Sequence, residues 1–126
     1  MAWRVLVVED HPVDLELITE LLGAAGCQVL SASSAEVGLR LAEVERPDLI
    51  LMDLQLPGMT GYEATRRLKA DPTTASIPVV ALTANAMRGE EARAIAAGCA
   101  AHLTKPLDPQ VLRETLHRFL LRAAES

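Results

Sequence analysis

Aromatic residues are nearly missing from this chain: one Trp, one Tyr and one Phe make up 2% of its 126 residues. So few rings leave no stacking platform for nucleic-acid bases. A basic excess is missing too. Twelve Lys and Arg stand against 17 Asp and Glu, and a net charge of -5 gives no electrostatic footprint for a phosphate backbone, so direct nucleic-acid binding is disfavoured. There are only two cysteines, Cys27 and Cys99. Each follows an Ala-Gly pair, and neither has a second Cys or His at metal-ligand spacing, which reads as two reduced core thiols. Long hydrophobic runs are absent: Leu49 to Met52 with its neighbours is far too short to cross a bilayer. Met1-Ala2-Trp3-Arg4 leads directly into a strand-like run without the basic, apolar and cleavage regions of a secretory signal. The expectation is a cytoplasmic protein that does not contact membrane. No linker, low-complexity tract or repeat divides the sequence, so one domain over 1–126, with a core over about 4–121, is expected.

What is present is a regular alternation, and half of the residues are hydrophobic. Short aliphatic or β-branched runs occur at Arg4 to Val8, Gln28 to Ser31, Leu49 to Met52, Pro78 to Leu82 and Ala101 to Leu103. Stretches with helical spacing separate them, so the pattern reads as βα repeated five times. Val5-Leu6-Val7-Val8, Leu49-Ile50-Leu51-Met52 and Val79-Val80-Ala81-Leu82 show no polar alternation, as expected of central parallel strands covered on both faces. Pro12 suits a first helical position ahead of Leu15, Ile18 and Leu22. Ser33 with Glu36, and Thr60 with Glu63, match the capping box and place the starts of the second and third helices. Val37, Leu41 and Val44 are the expected buried stripe of the second helix. Asp71-Pro72 closes the third. The fourth, over Met87 to Ala97, has mainly Ala92, Ile95 and Ala96 to bury and is expected to be the loosest element. The fifth follows Asp108-Pro109 and turns Leu112, Leu116, Phe119 and Leu120 inward.

Right-handed crossovers favour an α/β fold, an open, doubly wound, five-stranded parallel sheet, for which 2-1-3-4-5 is one of two common strand orders. In that order the first, third, fourth and fifth strands are neighbours. Their carboxyl ends carry Glu9 and Asp10, Asp53, Thr83 and Lys105, which then converge where such sheets place their ligands. Three crowded carboxylates repel one another and call for a cation, and hard oxygen ligands suit Mg2+. Beside that ion, Asp53 can act as nucleophile on a phosphoryl group while Lys105 and Thr83 meet its oxygens. Taken singly, Glu9-Asp10 is an ordinary acidic helix start, Asp53 a turn former, Thr83 a cap and Lys105 a solvated loop charge. It is their joint placement on adjacent strand ends that points to a site.

Four segments carry a resemblance: V-L-V-V-E-D (5–10), L-I-L-M-D-L-Q-L-P-G-M-T-G (49–61), V-V-A-L-T-A (79–84) and L-T-K-P (103–106). Through them the chain resembles response-regulator receiver domains of the CheY-like superfamily, with the flavodoxin-like (βα)5 fold, and is similar to stand-alone receivers of the CheY and DivK kinds. The resemblance implies two-component signalling in which Asp53 accepts a phosphoryl group from a histidine kinase or histidine phosphotransfer protein. It implies that Asp10 and Asp53 hold Mg2+ with the Gln55 backbone carbonyl, that Glu9 assists through water, and that Thr83 and Lys105 contact the phosphoryl group. It also implies a cis peptide before Pro106, and an output or homodimer face formed by the fourth helix, fifth strand and fifth helix, which meets a downstream protein. Two departures stand out. Glu9 replaces the commoner Asp, and His102 replaces the Tyr or Phe of the usual switch.

Other function classes share parts of this pattern. A phosphatase with an Asp nucleophile needs a second acid two residues on, where this chain has Gln55 and no cap insertion. A flavin module of flavodoxin type needs a phosphate loop after the first strand, and none follows. A degenerate receiver, serving only as a binding surface, conflicts with the full set of acids, threonine and lysine. The expectation is a signalling domain that catalyses only its own phosphorylation and dephosphorylation; a receiver module within a hybrid histidine kinase is the alternative.

Overall fold

The computed structural model describes residues 2–84 and 89–121. Its strands are β1 (Arg4–Val8), β2 (Gln28–Ala32), β3 (Leu49–Asp53), β4 (Val79–Thr83) and β5 (Ala101–Thr104). Between them run α1 (Pro12–Ala24), α2 (Ala35–Glu45), α3 (Gly61–Ala70) and α4 (Glu90–Ala97); α5 (Pro109–Leu116) follows β5 and ends in a π-helical turn over His117–Leu121. The strands form one parallel sheet in the order β2-β1-β3-β4-β5, the one of the two common orders that makes the polar strand ends neighbours. Register pairs Val8 with Met52, Asp53 with Leu82 and Thr83 with Thr104, which lines up the carboxyl ends of four strands.

Alternate residues of each central strand feed opposite cores. Leu6, Val8, Ile50, Met52, Val79 and Ala81 pack with residues of α2, α3 and α4. Val5, Val7, Leu49, Leu51, Val80 and Leu82 pack with Ile18 and Leu22 of α1 and with Leu112 and Leu116 of α5. Both faces of β3 and β4 are buried, which is why their sequences are unbroken apolar runs. Among the described residues no helix is long and apolar enough to cross a membrane.

Capping follows the sequence at Thr60, which accepts from the Glu63 N–H, and at Asp108, which accepts from the Gln110 and Val111 N–H groups. Two helices correct the expected frames. The cap of α2 is Ser34 rather than Ser33, and it accepts from the Val37 N–H at 3.3 Å. The buried face of α2 is Ala35, Gly38 and Ala42, while Val37 is exposed, Val44 is 72% exposed and Leu41 is half-buried. Close approach decides this: a Cβ on Gly38 would lie 2.7 Å from Val8 Cγ2, so small residues must face the sheet. In α4 the buried residues are Ala94 and Ala97, whereas Ala92, Ile95 and Ala96 face outward. The Arg93 guanidinium lies 4.2 Å from the centre of the Tyr62 ring, which sets the face that α4 turns to α3. The expected start of this helix at Met87 lies outside the described residues. Phe119 is only half-buried, while Leu112, Leu116 and Leu120 are buried. Cys99 is buried and Cys27 half-buried, and both are free thiols.

Candidate functional site

The strand ends place the polar residues. Glu9 follows β1, and its N–H donates to the Ala32 carbonyl at 2.9 Å, extending the β1–β2 ladder by one residue. That fixes a fully buried carboxylate, 0% exposed, beside an exposed Asp10. Asp53 is the last residue of β3 and only 3% exposed; the Gln55 N–H donates to its Oδ1 at 3.0 Å. Thr83 ends β4, wholly buried, and its carbonyl accepts from the Lys105 N–H at 2.8 Å, so β4 positions the residue that carries the ammonium. The Lys105–Pro106 peptide is cis, as the resemblance implies.

The side chains meet. Carboxylate oxygens of Glu9, Asp10 and Asp53 lie within 4.8 Å of one another. Lys105 Nζ is 3.4 Å from Asp53 Oδ2, 3.4 Å from Asp14 Oδ2, and in contact with Glu9 Oε1. Burial and a hydrogen bond with Asp53 push the Glu9 carboxyl up to about 7, against the pull of Lys105 and the His11 N–H. Burial alone would lower the Lys105 ammonium, but Glu9, Asp53 and Asp14 outweigh it and hold it above the ordinary lysine value. Among the described residues one ammonium thus faces three clustered acids and Asp14, so negative charge is in excess there. Hard oxygen donors, crowded and under-neutralised, fit Mg2+ well.

Glu9, Asp10, Asp53 and Lys105 are therefore brought together, with Thr83 at the neighbouring strand end and Gln55 on the adjoining loop. His102 is not part of this group. It lies on β5 with Nδ1 3.7 Å from Glu91 Oε1 of α4, an ion pair when the imidazole is protonated. Two further residues reach the crevice that sequence reasoning did not place there. Asp14, in the first turn of α1, shares Lys105. Glu90, the first residue of α4, accepts from the Thr83 hydroxyl through Oε2 and from Gln55 Nε2 through Oε1 at 2.8 Å. The available signal for both was an acid in the first turn of a helix that starts above the strand ends.

Known proteins resemble this chain in sequence and fold. The model of the response regulator receiver domain family matches residues 5–117. The polar-differentiation response regulator DivK of Brucella anthropi is 40% identical over 120 residues, covering 95% of this chain and 98% of that protein. Among solved structures, the receiver domain of a Pseudomonas aeruginosa sensor histidine kinase, with magnesium coordinated in its active-site cleft, is 36% identical. Its TM-score is 0.89, with 94% of this chain and 98% of that chain covered. The receiver domain of the Saccharomyces cerevisiae response regulator Ssk1, co-crystallised with the histidine phosphotransfer signalling protein Ypd1, is 25% identical with a TM-score of 0.88, covering 98% of this chain and 92% of that one.

Proposed function

The chain belongs to the response regulator receiver domain family, and from that premise we propose that Asp53 takes a phosphoryl group from the phosphohistidine of a histidine kinase or histidine phosphotransfer protein. A carboxylate oxygen of Asp53 attacks phosphorus, the P–N bond breaks, and the donor imidazole leaves with the electron pair and takes up a proton. The observation that carries this reading is the setting of Asp53: buried, central in the sheet, 3.4 Å from the Lys105 ammonium and within the acidic cluster.

Asp10, Asp53 and the Gln55 carbonyl would hold Mg2+, with Glu9 behind them, and the ion would neutralise charge on the phosphoryl oxygens. Lys105 and the Thr83 hydroxyl supply the remaining donors to those oxygens. The magnesium described for the Pseudomonas aeruginosa receiver and the phosphotransfer partner of the yeast receiver support the ion and the partner class. The output face is the one formed by α4, β5 and α5. Ile95 is 56% exposed there and Val111 also exposed, with an open groove of about 340 Å³ along His102, Leu103, Pro106 and Leu107. That face suits a downstream protein or a second copy of the chain.

The test is intact-mass measurement after incubation with a small acyl phosphate and Mg2+. One added phosphoryl group is expected on the wild type and none on Asp53→Asn. Equal labelling of the variant, or labelling undiminished by a chelator, overturns the assignment.

A further inference from the structure

Glu90 makes two hydrogen bonds that phosphoryl transfer does not require. Its carboxylate ties the end of β4, through the Thr83 hydroxyl, and the loop after β3, through the Gln55 amide, to the first turn of α4. Among the described residues α4 is otherwise held by the small buried side chains of Ala94 and Ala97, the stacking of Arg93 on Tyr62, and the contact between Glu91 and His102. Just ahead stands Gly89 at φ 79°, in the left-handed region where glycine turns without strain.

A threonine hydroxyl has one proton to donate. A phosphoryl oxygen on Asp53 and the Glu90 carboxylate both need it, and both cannot have it. We propose that Glu90 is a latch that competes with the phosphoryl group for Thr83, holding the start of α4 in its resting place until phosphorylation displaces it. This rests on Asp53 being the acceptor. The added phosphate also brings about two negative charges toward Glu90, so repulsion acts in the same direction as the lost hydrogen bond. Once released, the first turn of α4 loses its ties to both strand ends together, so occupancy of the acceptor is reported at the helix.

The coupling is reciprocal: whatever the latch contributes to the resting state is subtracted from the affinity for a phosphoryl group. The test is calorimetric titration of the full chain with beryllofluoride and Mg2+, a non-covalent phosphoryl mimic. Glu90→Ala is expected to bind about three- to tenfold more tightly than wild type, the range for loss of one hydrogen bond of ordinary net strength. Glu90→Gln, which keeps an acceptor for Thr83 but sheds the repulsive charge, is expected to gain less than Glu90→Ala. In a Thr83→Val background, the gain from Glu90→Ala is expected to fall to the smaller part that repulsion alone supplies. Unchanged or weaker binding by folded Glu90→Ala overturns the latch. So does an equal gain in the Thr83→Val background, which would reduce Glu90 to a distant repulsive charge. Should wild type fail to bind the mimic, the acceptor reading falls first and the latch with it; a binding wild type with a flat Glu90→Ala response removes the latch alone.

Discussion

Glu9 carries a strained charge whose pH signature is measurable. Its carboxyl is raised from 4.5 to about 7, chiefly because burial strips water from the charged form. Between those values the folded chain binds more protons than the unfolded one, so this group's contribution to stability is complete below 4.5 and is lost as pH rises through about 7. The loss is on the order of 3 kcal/mol in metal-free protein. Melting temperatures in chelator should therefore fall from pH 5 to pH 8, and Glu9→Gln should flatten that fall; a wild-type melting temperature that rises across the window contradicts the assignment. Asp53 contributes to the shift by a hydrogen bond and by its charge, so Asp53→Asn should move the fall to lower pH. The same substitution removes a ligand, and the stabilisation by saturating Mg2+, about 2–3 kcal/mol at a hundredfold excess over Kd, should shrink in it. Residues of this kind are legible because each ends or closely follows a strand of the sheet. Glu9, Asp10, Asp53, Thr83 and Lys105 all follow from strand order alone. Asp14 and Glu90 do not, because their place depends on how a helix rotates over the crevice, and an acid in a first helical turn has an ordinary explanation.

At the scale of elements, close approach of backbone to backbone sets how the site loop is held. A Cβ at Gly61 would lie 2.2 Å from the Asp53 carbonyl oxygen, whereas one at Gly38 would meet the Val8 methyl groups, at 2.7 Å for the nearer. A side chain can turn aside and a peptide group cannot. Gly61→Ala should therefore destabilise by about 3 kcal/mol or more and impair phosphorylation, and Gly38→Ala by about 1–3 kcal/mol with phosphorylation preserved. Denaturant melts and intact-mass labelling of both variants separate the two; equal losses would place the wall elsewhere. The same closeness explains which elements were readable. Strands β1, β3 and β4 announce themselves because both faces are covered. In α2 the larger residues, Val37 and Val44, suggested a stripe, yet the sheet admits only Ala35, Gly38 and Ala42. In α4, with alanine on several sides, hydrophobicity barely distinguishes one face from another, and the contact between Arg93 and Tyr62 decides.

Over the whole molecule, the proposed function has a local event at Asp53 felt at the α4–β5–α5 face. Beryllofluoride with Mg2+ should change amide exchange most in residues 89–105 and least in β2 and α2, from which no side chain was placed in the crevice. Changes confined to the loop after Asp53 would refute this route, and an unaltered response in His102→Ala would remove His102 from it. Strand order has one more consequence. The acids stand at the ends of β1 and β3, which pair Val5 with Leu49, while the ammonium stands just past β5, the edge strand and the last of the five along the chain. Lys105 touches Glu9 and lies 3.4 Å from Asp53 only while β5 stays paired with β4, so fraying of that one edge would leave the central acids without their counter-charge and loosen the site before the rest of the sheet.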